Sequence, residues 1–334
     1  MKAIFLCESD NVARVFAPEI LEKISALTEL DKTVYRKEDL QKNPEQFADT
    51  EYIFSTWGMT LLTEEEIRQY LPKLKCVFYA AGSVQQFARP YMNCGVKVFS
   101  AWAANAVPVA EYASAQIVLA GKGFYQVCAQ TSTGLDAYLE SYKLANCYPG
   151  NYGAKVGIIG AGMIGKMVIQ RMQSYHLPVL VFDPFLPEEK AAQLGVTKVS
   201  LEQLFRECQV ISNHLANNAQ TQGMLRGAHF ASMLPYATFI NTGRGAQIVE
   251  EEMIQVLEQR PDLTAVLDVT FPEPPLADSP FYKLKNVFLT PHIAGSKGDE
   301  VVRMADYMAT ELEKYLRGEA SPYEVTFKML ETMA

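Results

Sequence analysis

Long apolar runs, clustered basic residues and paired cysteines are all missing from this sequence, and histidine is scarce. No segment approaches the about 18 uninterrupted apolar residues of a membrane span, so no membrane partner is expected. Lys and Arg form no run, and a net charge of -8 with a pI near 5.2 leaves no concentrated basic face for nucleic acid. Cys7, Cys76, Cys94, Cys128, Cys147 and Cys208 stand far apart with no CxxC pair, which reads as thiols in a reducing compartment, not a disulfide framework or a zinc site. The opening MKAIFLCESD holds a five-residue apolar run before acidic residues, too short for a secretory signal, so a cytoplasmic location is expected. Of the four histidines, His176, His214 and His229 show no ligand spacing with each other, and no metal is expected. Internal repeats and low-complexity segments are lacking too.

What is present is a soluble globular balance, 49% hydrophobic and 20% charged, in a chain long enough for two cores. Short apolar runs alternate with amphipathic stretches from the start: KAIFLC, PEILEKISAL, TVYR, EYIFST, TEEEIRQYL, LKCVFYAAG, VKVFS. That alternation predicts a parallel sheet covered by helices. Asn105 to Gly123 reads as one long apolar helix with Pro108 in its first turn. A Tyr-, Gly- and Asn-rich passage follows from 124 to 153.

A second alternating series then begins: KVGIIGAG, LPVLVFD, CQVISNHL, ATFINTG, LTAVLDV and NVFLTPH, with EEKAAQLG, LEQLFRE and EEEMIQVLEQ as helices between them. These Val-, Ile-, Leu- and Phe-rich runs lack polar alternation, as strands buried on both faces do. A last helix is expected at about 299 to 318. The runs Glu64 to Glu66 and Glu250 to Glu252 read as helix N-termini favoured by the dipole, not as metal ligands.

Gly160-Ala161-Gly162-Met163-Ile164-Gly165 follows the apolar strand and opens a helical run. Glycine-rich spacing alone is weak evidence; strand before and helix after give it a physical reading, a tight turn, close backbone approach to a pyrophosphate, and tight helix packing. Asp183 closes the next strand 18 residues after Gly165, where a carboxylate would bond a ribose diol, and no basic residue occurs from 184 to 189. The cofactor expected is NAD in preference to NADP.

Three later segments, INTGRGAQIVEEEMIQVL, VLDVTFPEPPL and LTPHIAGS, each follow a predicted buried strand, so they should converge at the carboxyl edge of the sheet. Arg244, between two glycines, offers a planar cationic fork for a carboxylate. A lone histidine on an apolar segment is ordinarily a packed residue; beside such an arginine, His292 could instead give a proton to a carbonyl oxygen as hydride arrives at the adjacent carbon. Glu273 could hold its tautomer and keep its pKa near working pH.

GAGMIG, then FD, NTGRG, DVTFPEPP and LTPHIAGS resemble, in order and approximate spacing, the NAD-dependent D-isomer-specific 2-hydroxyacid dehydrogenases. The resemblance covers nearly all of residues 75 to 315. It implies Arg244, Glu273 and His292 as the catalytic arginine, glutamate and histidine, and Asp268 as the aspartate near the nicotinamide carboxamide. His214, Thr242 and Gly243 then line the cofactor site beside the glycine loop. It further implies that AAGSV, with Ala81, Gly82 and Ser83, holds the substrate carboxylate beside Arg244, and that Asn105 and Glu111 begin the interdomain helix. Gln85 departs from the pattern, where aspartate is common, as does Asn213-His214-Leu215-Ala216, which lacks a frequent proline. Trp57 and Met59, ending a strand near the N-terminus, are candidates for the pocket wall, with packing under the domain the equal alternative.

The expected architecture is α/β with two doubly wound parallel-sheet domains, a Rossmann NAD-binding domain (105–298) inserted in a flavodoxin-like substrate domain (1–104 and 299–334). The expected reaction is hydride transfer between NADH and a 2-oxo acid, giving by resemblance a D-2-hydroxy acid. By the same resemblance the assembly is a homodimer, with 124–153 as a contact. An NAD-sensing corepressor-like binding protein, or a relative acting on formate or phosphite, stay open as alternatives.

Overall fold

The apolar runs of the first third pair as five parallel strands: β1 (Lys2–Leu6), β2 (Glu29–Tyr35), β3 (Thr50–Ser55), β4 (Cys76–Tyr79) and β5 (Lys97–Ser100). In the computed structural model, which describes residues 1–331, they lie in the order β2-β1-β3-β4-β5, a flavodoxin-like arrangement. This sheet belongs to a compact unit made of residues 1–106 and the chain from 296 onward. Residues 332–334 of the expected 299–334 segment lie outside the described residues. Register places Phe54 beside Phe78 and Phe78 beside Phe99 on one face, where the rings stack at 5.1 and 5.0 Å. The helix Val302–Leu316 covers that ladder with buried Met304, Ala305, Met308, Ala309 and Leu312, a helical-period stripe. It starts three residues later than expected, after a 3-10 turn at Gly298–Val301.

The second unit, residues 107–295, is inserted between those two parts of the first. Its seven parallel strands are β6 (Val156–Ile159), β7 (Val179–Phe182), β8 (Thr197–Lys198), β9 (Val210–Asn213), β10 (Thr238–Asn241), β11 (Thr264–Leu267) and β12 (Val287–Leu289). Their order, β12-β11-β10-β9-β6-β7-β8, is the Rossmann order with one strand added at the β11 edge. β6, β9, β10 and β11 are buried along their whole length, which explains the absence of polar alternation. The reversal of strand order falls between β6 and β9, so the loops after these strands diverge and leave a crevice at the carboxyl edge.

One local expectation is corrected. The long helix spans Trp102–Gly121, beginning three residues early, and Pro108 falls inside it instead of in its first turn. Trp102 packs edge-on against Tyr323, and Ala103 and Ala104 are buried, so tertiary packing extends the helix past the point where the proline argued for a start. The 124–153 passage contains two helices, Phe124–Thr131 and Leu135–Ala145. Leu135, Tyr138, Leu139 and Tyr142 recur at helical spacing, a signal that the passage's turn-rich composition masked; all four are exposed.

Candidate active site

The glycine loop joins β6 to the helix Met163–Met172, capped at Gly162. Gly165 has no alternative: a Cβ there would lie 2.0 Å from the Gly160 carbonyl oxygen. Gly162 faces open space, with nothing within 4 Å of a would-be Cβ. Next to it, the first-turn N–H groups of Met163, Ile164 and Gly165 lack intrahelical acceptors, so the position suits an anion brought against the backbone. Asp183 follows β7 and accepts the N–H of Ala161 at 2.7 Å and that of Phe185 at 2.8 Å, tying the carboxylate to the glycine loop. Each oxygen keeps a lone pair for a ribose hydroxyl. These features fit a dinucleotide. Sequence reading overlooked Lys198 on β8, whose Nζ reaches the Leu186 carbonyl at 2.7 Å, within the segment after Asp183.

His214 sits behind the crevice, nearly fully buried, with Nε2 3.0 Å from Ser212 Oγ and Nδ1 3.3 Å from Thr242 Oγ1. Burial pushes its pKa down to about 3, so the ring is neutral at physiological pH. Thr242 and Gly243 continue β10 and are buried.

The loop carrying Arg244 is held by an amide cluster that sequence reading also missed. Asn213 Nδ2 donates to Asn241 Oδ1 (3.0 Å) and Gln247 Oε1 (2.7 Å). Asn241 Nδ2 donates to the Arg244 carbonyl, and Arg244 N–H donates to Gln247 Oε1. Asn213 and Asn241 end β9 and β10, where strand carbonyls and amides run out of partners; a polar residue closing an otherwise apolar run was the available signal. Arg244 itself is largely buried, which pushes its guanidinium pKa down against the opposing pull of Glu273. Its Nη1 donates to the Gly243 carbonyl at 2.7 Å, and among the described residues no carboxylate lies within 4.0 Å of it.

Glu273 and His292 come together from the loops after β11 and β12: His292 Nδ1 is 2.8 Å from Glu273 Oε1, with both side chains partly exposed. His292 adopts a left-handed backbone (φ 52°), which for a non-glycine residue costs on the order of 1 kcal/mol. Its N–H is held by the Asp268 and Thr290 carbonyls. The buried Asp268 carboxylate accepts Thr290 Oγ1–H (2.7 Å), Ile293 N–H (2.8 Å) and Ala294 N–H (2.9 Å). Asp268 thus shapes the histidine turn, a role sequence reading did not assign.

In the first unit, Ala81, Gly82 and Ser83 follow β4. Ser100 Oγ donates to the carbonyls of Ala81 and Gly82, and no protein acceptor meets the N–H groups of residues 81 to 83 among the described residues. Consecutive N–H groups of this kind form an anion-binding concavity. Trp57 follows β3, partly buried, with Arg14 5.9 Å from its ring centre, whereas Met59 is a core residue. Among the described residues no three His, Cys, Asp or Glu side chains are grouped to hold a metal ion.

The family profile described as D-isomer specific 2-hydroxyacid dehydrogenase, NAD binding domain, matches residues 128–294. The chain is 34% identical over 167 residues to a D-3-phosphoglycerate dehydrogenase of Synechocystis sp., covering 50% of this chain and 30% of that protein. It is 33% identical over 171 residues to a glyoxylate reductase of Korarchaeum cryptofilum, covering 51% and 52%. It is 29% identical over 263 residues to a D-3-phosphoglycerate dehydrogenase of Mycobacterium tuberculosis, covering 78% and 48%. The chain thus spans about half or less of the length of these curated relatives. Among solved structures it shares the fold of the apo D-mandelate dehydrogenase of Rhodotorula graminis (TM-score 0.82, 19% identity, 97% of each chain). It also shares that of D-2-hydroxyisocaproate dehydrogenase (TM-score 0.75, 22% identity, 98% and 100%). With half its length matched by the profile and the glycine loop in its strand-to-helix setting, this chain belongs to the NAD-binding, D-isomer-specific 2-hydroxyacid dehydrogenase family.

Proposed function

We propose that the chain reduces a 2-oxo acid with NADH to a D-2-hydroxy acid, reversibly, with Arg244 binding the substrate carboxylate and His292, paired with Glu273, moving the proton. The observation that carries this reading is the largely buried Arg244 guanidinium with no carboxylate among the described residues within 4.0 Å, in the same unit as the His292–Glu273 pair. A buried cation without a partner is costly unless a ligand supplies the anion, and a planar fork suits a carboxylate. The N–H groups of Ala81, Gly82 and Ser83 carry the same preference for an anion, and Trp57, packed in part against both core clusters of its unit, would offer its uncovered ring surface to a substrate side chain.

When bound, NADH would supply the hydride in reduction, and NAD would accept it in oxidation. The glycine loop from Gly160 to Gly165 would hold its pyrophosphate and Asp183 its ribose, with His214, Thr242, Gly243 and Asp268 lining the same carboxyl edge. His292 Nδ1–H donates to Glu273, which leaves Nε2 to give a proton to the carbonyl oxygen in reduction and take it back in oxidation.

A homodimer belongs to this reading. The helices Phe124–Thr131 and Leu135–Ala145 bury only Ser141 between them while exposing Leu135, Tyr138, Leu139 and Tyr142, a face suited to a second copy. A cytoplasmic location is part of the same proposal; no helix among the described residues is long and apolar enough to cross a membrane.

The test follows NADH absorbance: its loss with glyoxylate, pyruvate or phenylpyruvate, and its appearance from NAD with formate or phosphite. Turnover of an oxo acid that is lost in Arg244→Ala supports the reading. Turnover of formate or phosphite alone, or tight NADH binding with no turnover, overturns it.

A further inference from the structure

The segment Phe271-Pro272-Glu273-Pro274-Pro275 brings Glu273 to His292, yet it has little backbone with which to hold itself in place. Three of its five residues are prolines without an N–H, so only Phe271 and Glu273 carry donors. The Phe271 ring is exposed and anchors nothing in the core. Its N–H, however, donates to Glu250 Oε1 at 2.7 Å. Glu250 is the first residue of the helix Glu250–Gln259, which follows the Arg244 loop.

The two loops also meet through backbone. A Cβ on Gly245 would lie 2.0 Å from the Thr270 carbonyl carbon and 2.5 Å from the Phe271 nitrogen, so glycine beside Arg244 permits direct contact with the chain leading to Glu273. Thr270 Oγ1 donates to the Pro272 carbonyl (2.9 Å) and stiffens the turn from within. Among the described residues, Glu250 therefore supplies the one side-chain bond that ties the donor-poor segment to the helix following the arginine loop.

We propose that Glu250 is a positioning residue for Glu273: by holding the Phe271 N–H it fixes the glutamate segment against the Arg244 loop, and so keeps Glu273 in reach of His292. The proposal rests on the reading of Glu273 and His292 as the proton-moving pair. The half-buried carboxyl is kept there at a cost, for burial pushes its pKa up to about 7. A neutral carboxyl or an amide keeps an acceptor oxygen, so the bond itself does not require the charge.

The experiment compares Glu250→Ala, Glu250→Gln, Glu273→Gln and the double variant Glu250→Ala/Glu273→Gln in the full chain. Steady-state kinetics use whichever of glyoxylate, pyruvate and phenylpyruvate the wild type reduces fastest. Amide hydrogen exchange is read on a peptide spanning 270–276, where the prolines leave few exchanging amides, and NADH affinity by fluorescence titration. In Glu250→Ala we expect kcat to fall roughly fivefold or more, NADH Kd to stay within about twofold, and the peptide to exchange faster. Glu250→Gln should stay within about twofold of wild type in all three, and on the Glu273→Gln background the alanine should cost less than about twofold more. Glu250→Ala with wild-type kcat and exchange overturns the proposal, as does an equal loss on both backgrounds. A Glu250→Gln variant as impaired as the alanine does so too. Glu273→Gln at wild-type kcat instead overturns the reading of the pair, and the proposal with it.

Discussion

Glu273 Oε1 lies 2.8 Å from His292 Nδ1, the only hydrogen bond the His292 ring makes among the described residues. The bond selects the tautomer and leaves Nε2 facing no protein acceptor. His292→Ala is therefore expected to lower kcat/KM for oxo-acid reduction by roughly 100-fold or more while leaving NADH binding intact. Measured against pH, reduction should fall as pH rises and oxidation should rise over the same range, because one direction uses the charged ring and the other the neutral one. Glu273→Gln should lower kcat for reduction, because the amide no longer fixes the ring tautomer that leaves Nε2 free. An alanine variant with wild-type reduction would make His292 a packing residue, and an undiminished kcat in Glu273→Gln would remove Glu273 from its role.

Arg244→Lys keeps a positive charge and loses the fork. Since Nη1 already donates to the Gly243 carbonyl, the remaining guanidinium donors are those available to a ligand. A lysine cannot serve both, and kcat/KM for the oxo acid should drop roughly tenfold or more, chiefly through KM. Unchanged KM would assign the carboxylate to another group.

Cofactor choice turns on Asp183 and Lys198. The aspartate stands at the end of β7 with its carboxylate fixed by two backbone N–H groups, and a 2′-phosphate would meet that charge. Lys198 is near the segment but committed to the Leu186 carbonyl. NADH should exceed NADPH in kcat/KM by roughly tenfold, about 1.4 kcal/mol, and Lys198→Ala should leave the ratio unchanged. A ratio near one, or a ratio that rises in the lysine variant, would show that Lys198 receives the phosphate.

The strands, the glycine loop and the three late loops were legible because each depends on residues close in sequence: an apolar run, a glycine spacing, an arginine flanked by glycines. What escaped depends on partners far apart. Asn213, Asn241 and Gln247 form one amide cluster only after β9 and β10 pair. Lys198 reaches Leu186 only because β8 lies beside β7. The start of the long helix at Trp102 was set by contact with Tyr323, some 220 residues on, against the local hint from Pro108. The donors on Asp268 come from residues 290 to 294, so its burial and its work on the histidine turn could not be read from DVTFPEPP alone.

His214 makes a prediction about stability. Its pKa falls to about 3 in the folded state from an ordinary 6.5, so the native chain binds fewer protons than the unfolded one between those values. The group contributes stability that is present above pH 6.5 and lost as pH falls toward the folded value, with a slope of about 1.4 kcal/mol per pH unit. Urea titrations of wild type and His214→Gln from pH 7.5 to 5.0 should therefore converge on acidification. Parallel curves would mean that the ring is solvated or that another group carries the acid sensitivity.

The last prediction concerns the buried carboxylate that shapes the histidine turn. Asp268 presents two acceptor oxygens to three donors, Thr290 Oγ1–H, Ile293 N–H and Ala294 N–H, from both sides of a residue held at positive φ. Asparagine has nearly the same shape but only one acceptor; whichever way its amide turns, an NH2 group faces a backbone N–H that has lost its partner. Leaving one buried donor unpaired costs about 1–3 kcal/mol, so Asp268→Asn should unfold at correspondingly lower urea. Because the freed donors flank His292, kcat should fall as well, in a protein that still folds and still binds NADH. The two effects are separable: an Asp268→Asn chain as stable as wild type would show that the three bonds carry no net energy. A destabilised chain with undiminished kcat would show that the histidine keeps its place without them.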